Sequence, residues 1–166
     1  MNARQMRGVY VVEFAIIGLL LFTLLFGVLE MGRLFFTVNA LNETVRRGAR
    51  LAAVCDISEP RILRRAIYNA ANDSGASSLI GGLDTADLSL TYLDGTGGPV
   101  LLPSDPVAVN GFRAIRYVRL QVRGFTFSLL IPGFGGITLP DFQSILPRES
   151  LGRHAEEGVV PEITPC

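Results

Sequence analysis

The sequence predicts an α+β protein in which one long N-terminal helix packs on a small antiparallel sheet. Three observations carry this expectation. An apolar run occupies Val9–Leu29. A 3/4-residue recurrence of apolar positions continues from it to about Val54. Beyond Leu88 the apolar period changes to two. The expected organisation is a short leader (1–8), a long helix (9–54) that spans a membrane to about residue 29, and a small α+β head (55–166) ending in a loose tail.

The apolar run holds about 21 residues, so at 1.5 Å per residue it covers roughly 32 Å, one bilayer core. Glu13 is its only charge. A secretory signal has a shorter apolar core followed by a small-residue cleavage site, whereas this run leads into "EMGRLFF" and is read as retained. Arg4 and Arg7 precede the span, but Arg33, Arg46, Arg47 and Arg50 follow it, so arginine counting does not fix its orientation.

The helical pattern continues through Met31, Leu34, Phe35, Val38, Leu41, Val45, Ala49 and Ala52, one stripe that needs a folded body to cover it. Glu43 precedes Arg46 and Arg47 by three and four residues, the favourable order for ion pairs on a helix. No proline occurs before Pro60. After the break "CDISEP", a second helix is expected from Pro60 to about Asp73, capped by Ser58 or Glu59 and ended by Gly75. Its apolar face is Ile62, Leu63, Ala66, Ile67 and Ala70.

Leu88, Leu90 and Tyr92 alternate with polar residues and run into the turn "DGTGGP". A second strand is expected over about Ile115–Arg123, with Val118, Leu120 and Val122 on one face. "FTFSLLI" is a third apolar run ending at Pro132, "PGFGGITLP" reads as a loop, and "FQSILPRESLG" as a last short strand interrupted by Pro147. The tail from Gly152 is polar and proline-punctuated.

Composition argues against several functions. Fifteen arginines, with no lysine, balance fifteen acidic residues, so net charge gives no pull toward nucleic acid. Cys55 and Cys166 form no CxxC pair and His154 stands alone, which leaves no expected metal site and no expected cofactor. G-x-S-x-G, P-loop and H-E-x-x-H patterns are missing, and no catalytic residue is assigned. Alternation places Arg113, Arg119 and Arg123 on one strand face and Arg116 on the other; this reads as a solvated face rather than a nucleic-acid strip. Asp84, Asp87 and Asp94 lack the spacing of a calcium loop and read as surface residues beside turns.

The informative constellation lies around Glu13. A carboxylate inside a span costs about 2.5–3.5 kcal/mol on insertion scales, so its presence calls for a reason. A leader ending in Gly8, a new start at Val9, and Glu13-Phe14 shortly after form one pattern. "EMGR", with Glu30, Gly32 and Arg33, and "ARLAAV" extend it. Together these residues resemble the TadE-like family of minor pseudopilins from tight-adherence (Tad/Flp) type IV pilus systems. The likeness is good over residues 7–54; in the head it is limited to general layout and "LPRES".

That resemblance implies a pilin-like structural subunit, not an enzyme, that primes, caps or decorates a fibre. It implies cleavage after Gly8 by a prepilin peptidase, for which glycine suits an extended backbone in a protease cleft. The freed amine of Val9 would then be compensated by Glu13, on its own chain or a neighbour's, because either charge alone is costly in low dielectric. The implied partners are the peptidase, other minor and major pilins, the assembly platform and membrane lipid. The implied location is the bacterial inner membrane, with the N-terminus cytoplasmic, the head periplasmic, and incorporation in a surface pilus. Outside the cytoplasm Cys55 and Cys166 are a candidate disulfide, the alternative being a buried free Cys55 and a frayed Cys166. Two other readings stay open: an uncleaved single-pass envelope protein whose head binds a ligand or surface, and a DNA-binding pilin.

Overall fold

A computed structural model describes residues 3–57, 59–105, 107–130, 135–153 and 166, with side chains from Gly8 onward. Helix α1 runs Ala3–Val54 over 52 residues, roughly 78 Å. It starts earlier than expected, because Ala3, Arg4, Gln5 and Met6 are good helix formers and no proline intervenes. Gly8 and Val9 therefore sit inside a helix, not at its beginning.

From Gly8 to Leu29 the helix is bare. Glu30 is the first buried residue among those described, and the buried line then passes through Ala40, Leu41, Thr44, Val45, Ala49, Ala52 and Ala53. Met31 and Phe35, expected on the covered stripe, are exposed. They stand one position off the line through Glu30, Leu34 and Leu41 that faces the head. The expected pairing of Glu43 with Arg46 and Arg47 is also not seen among the described residues; instead the Arg47 guanidinium lies 5.4 Å over the Tyr68 ring.

Helix α2 spans only Arg61–Ala66, well short of Asp73. Tyr68 turns into the left-handed region at φ 68°. Beyond it, side chains capture the backbone. The Ser77 hydroxyl donates to Ile67 O at 2.6 Å, and Asn69 Nδ2 donates to Gly75 O at 2.8 Å and to Ala76 O at 3.1 Å. Such side-chain bonds compete with the helical ladder and win here. Of the two expected caps, Ser58 lies outside the described residues; Glu59 Oε1 accepts from Arg61 N at 3.2 Å.

Strands β1 (Leu88–Leu93), β2 (Tyr117–Val122) and β5 (Phe142–Pro147) form an antiparallel sheet in the order β1-β2-β5. Leu90 pairs with Leu120, and Leu120 with Ser144. Pro147 ends β5 opposite Tyr117, a position an edge strand tolerates. The third apolar run is reduced to β3 (Thr126–Ser128), which pairs with β4 (Gly136–Thr138) in a separate two-stranded sheet. β4 falls in a stretch read as loop. Phe127 opposite Ile137, and the Leu139 N bond to Phe125 O, supply the pairing that glycine-rich local sequence did not announce.

Helix α1 lies across β2 and β5. One core cluster joins Leu41, Val45 and Ala49 to Leu120, Val122, Phe125 and Phe142. A second, nearer the helix end, joins Ala52 and Ala53 to Ile62, Ile115, Val118 and Leu151. Val118, Leu120 and Val122 are fully buried, as their alternation required.

Candidate functional site

Along the bare helix, Gly8, Val9, Val12, Glu13 and Ile16 share one face and line one shallow groove. Val9 and Glu13 are four residues apart, so their Cβ atoms are about 5–6 Å from each other on that face. Phe14, one position round, is among the exposed apolar residues. No partner reaches the Glu13 carboxylate among the described residues. The most apolar window of this helix has mean hydropathy 2.5 and none of it is covered by the rest of the chain, so the helix is long and apolar enough to cross a membrane.

A second cluster forms where the head first meets the helix. Arg33 Nη1 donates to both Glu30 oxygens at 2.9 Å, and Glu30 Oε1 also accepts from the backbone N–H of Leu130 at 3.2 Å. Arg33 Nη2 donates to Ser128 O at 3.4 Å, and its guanidinium stacks 4.9 Å above Phe127. One ion pair thus clasps the β3–β4 hairpin to α1. Glu30 is 8% exposed, and these donors supply the hydrogen bonds that a buried carboxylate would otherwise lack. Gly32 faces outward and, with Phe36 and Leu79, lines an open cavity of about 710 Å³ beside the clasp. The sequence marked Glu30, Gly32 and Arg33 as a motif but could not show what they hold, since Leu130 is a hundred positions away.

At the other end of α1, Cys55 and Cys166 are joined by a disulfide. Arg153 Nε donates to buried Asp56 at 2.9 Å and stacks on Phe112, which also receives Arg148. Backbone N–H groups of Glu149 and Leu151 both donate to Ala53 O, and the Ser150 hydroxyl donates to Val54 O. "LPRES" is therefore the segment that ties the last strand to the helix terminus. Gly152 at φ 68° closes it, with no room for a Cβ against Asp56. Tyr92 is buried here and its hydroxyl is pushed well above the usual tyrosine range, first by burial and then by the Asp56 charge. His154 and the tail through 165 lie outside the described residues.

The arginine strip is not continuous. Only Arg119 is in β2, half-buried, with its Nε lacking a partner among the described residues. Arg113 sits in a 3-10 turn, Arg116 donates to Arg113 O, and Arg123 bonds Gln121 Oε1 at 2.7 Å. Asp84 and Asp87 cap a 3-10 turn reciprocally, and Asp94 closes the turn after β1. Among the described residues no group of three or more His, Cys, Asp or Glu side chains could hold a metal ion.

Architecture and site define a class: an α+β head carried on a single long apolar helix, with an acidic residue near the helix start and an ion-pair clasp at the junction. Residues 8–50 match the family model described as TadE-like protein, so this stretch is similar to TadE-like proteins. The match takes in Gly8, Val9, Glu13, Phe14, Glu30, Gly32 and Arg33, and stops short of Cys55. No curated protein and no solved structure matches.

Proposed function

We propose that the chain is a minor pilin-like subunit of a Tad/Flp-type pilus, cut after Gly8 by a prepilin peptidase, with its head outside the cytoplasm. It primes, caps or decorates the fibre and performs no catalysis. Its partners are the peptidase, other minor and major pilins and the assembly platform. The observation that carries this reading is the lone carboxylate of Glu13 on an uncovered apolar helix, one turn from Val9. On an uncut chain that carboxylate is only a cost; on a cut chain it neutralises the new amine.

The test is the mature N-terminus. Intact mass of membrane-extracted protein from piliated cells should correspond to a chain beginning at Val9, and Gly8→Arg should leave the leader attached. Protein that still begins at Met1 or Asn2 in such cells would overturn the proposal.

One observation favours a second reading, an uncleaved single-pass anchor whose head is a binding module. Gly8 lies within helical backbone, whereas a protease cleft takes extended chain. Cleavage therefore requires local unwinding near Gly8, which the low helix propensity of glycine assists. The same mass measurement separates the two.

A further inference from the structure

The head meets the helix at the level where the apolar span ends, and the surface it presents there has almost no charge. Leu130 N bonds Glu30, and Leu79, Ile80, Gly81 and Gly82 line the cavity together with Val28 and Leu29. The chain carries no charged residue from Gly124 to Pro140, and none from Ser74 to Leu83. Leu130 is 70% exposed and Leu79 46%, and Phe35 and Phe36 on the helix are exposed at the same level. The two charges that occur here, Glu30 and Arg33, neutralise each other. Arginines gather instead at the opposite end of the head, around Phe112.

We propose that this uncharged underside rests on the bilayer that α1 spans, with Leu79 and Leu130 immersed in its interfacial zone and a phospholipid acyl chain lying in the cavity. The proposal rests on the reading of Val9–Leu29 as a membrane span. Distance supports it. Leu29 to Phe36 rises about 10 Å along the axis, less if the helix tilts. The polar zone outside the hydrocarbon core is about 5–8 Å thick on each side. Residues bonded to Glu30, or lining the cavity beside Val28 and Leu29, thus fall within reach of lipid without any change of fold. Charge placement supports it as well, since immersing charged side chains at this level would be opposed by their hydration.

The protein contains no tryptophan, so single substitutions make clean depth probes. Leu130→Trp and Leu79→Trp are placed in full-length chain reconstituted in phosphatidylcholine–phosphatidylglycerol vesicles, with lipid brominated high on the acyl chain. Phe22→Trp, in the bare span, is the membrane control. Val109→Trp, 99% exposed on the loop before Phe112, is the water control. The expected result is blue-shifted emission with strong bromolipid quenching at positions 130 and 79, close to that at 22, and red emission without quenching at 109. If 22 is quenched while 130 and 79 behave like 109, the span stands and the resting surface is overturned. If 22 itself is not quenched, the span reading fails and takes the proposal with it. Blue-shifted but unquenched emission at 130, lost when the lipid-to-protein ratio is raised, would assign the face to a second copy of the chain and overturn the lipid proposal.

Discussion

Gly48 on α1 and Leu120 on β2 touch with no space between them: a Cβ at Gly48 would fall inside the Leu120 side chain and 2.8 Å from Ala66 Cβ. Leu120 and Ala66 are both fully buried and cannot step aside. Gly48→Ala should therefore lose about 1–2 kcal/mol net, because overpacking outweighs the gain of about 1 kcal/mol in helix propensity. Gly32→Ala is the opposite case, since open space surrounds that position and only the propensity gain remains. Thermal unfolding of the two variants in detergent should move in opposite directions from the parent.

The Glu30 clasp is expected to fail locally. Glu30→Gln preserves shape but leaves Arg33 without its countercharge and weakens the bond from Leu130 N. A charged hydrogen bond of this kind is worth about 1.5–3 kcal/mol. Hydrogen exchange should quicken at Leu130 and along the β3–β4 pair, while amides of β1 and β2 keep their protection. Uniform acceleration across the sheet would show that the clasp is not confined to the hairpin.

The Cys55–Cys166 bond closes a loop of 111 residues. Chain-entropy reasoning gives such a crosslink about 4–5 kcal/mol. Cys166→Ser should lower the unfolding midpoint accordingly, and non-reducing peptide mapping of parent protein should recover the two cysteines as one crosslinked pair. Recovery of both as alkylated thiols would remove this source of stability.

Acid should loosen the turn after β1. The Asp94 carboxyl is held below its ordinary value of 3.8, first by the Thr96 hydroxyl and then by backbone N–H donors of Thr96 and Gly98. A carboxylate with a lowered pKa stabilises the fold fully above its unfolded value, and the contribution is lost as pH falls through the folded one. Amide signals of Thr96 and Gly98 should therefore stay constant down to the ordinary carboxylate range and shift only below it. Asp94→Asn should abolish that acid step.

Glu13→Gln separates the two functional readings. If the carboxylate answers the amine of Val9, cleavage after Gly8 survives, because the peptidase acts before that amine exists, and pilus output falls. If the helix is a plain anchor, losing a charge from the span eases insertion and leaves function intact. Processing, membrane level and pilus output of this variant against parent decide the matter. Normal pili with normal processing would make Glu13 a bystander.

What was legible in the sequence depended on the range of the forces involved. The long helix and the burial of Val118, Leu120 and Val122 followed from periodicity, which is local information. The motif "EMGR" was visible as a pattern, yet its task was hidden, since the Glu30 partner Leu130 is distant in sequence. α2 is shorter than its apolar periodicity predicts because Ser77 and Asn69, lying beyond its end, withdraw backbone groups from the ladder. β4 has no local signal for the same reason: Gly136–Thr138 becomes a strand only because Phe127 is there to pair with Ile137.

The continuity of α1 has a mechanical consequence. No proline and no loop separate the bare segment from the part gripped by the head, so nothing between them can act as a spring. A pull applied near Val9 travels along one ladder of peptide hydrogen bonds and is handed to the head over a long seam, first at the Glu30 clasp and last at the crosslinked terminus beside Cys55. Load spread in this way is shared by many contacts in parallel rather than borne by one. Displacement or rotation of the bare end therefore moves the head as a rigid lever, without slack.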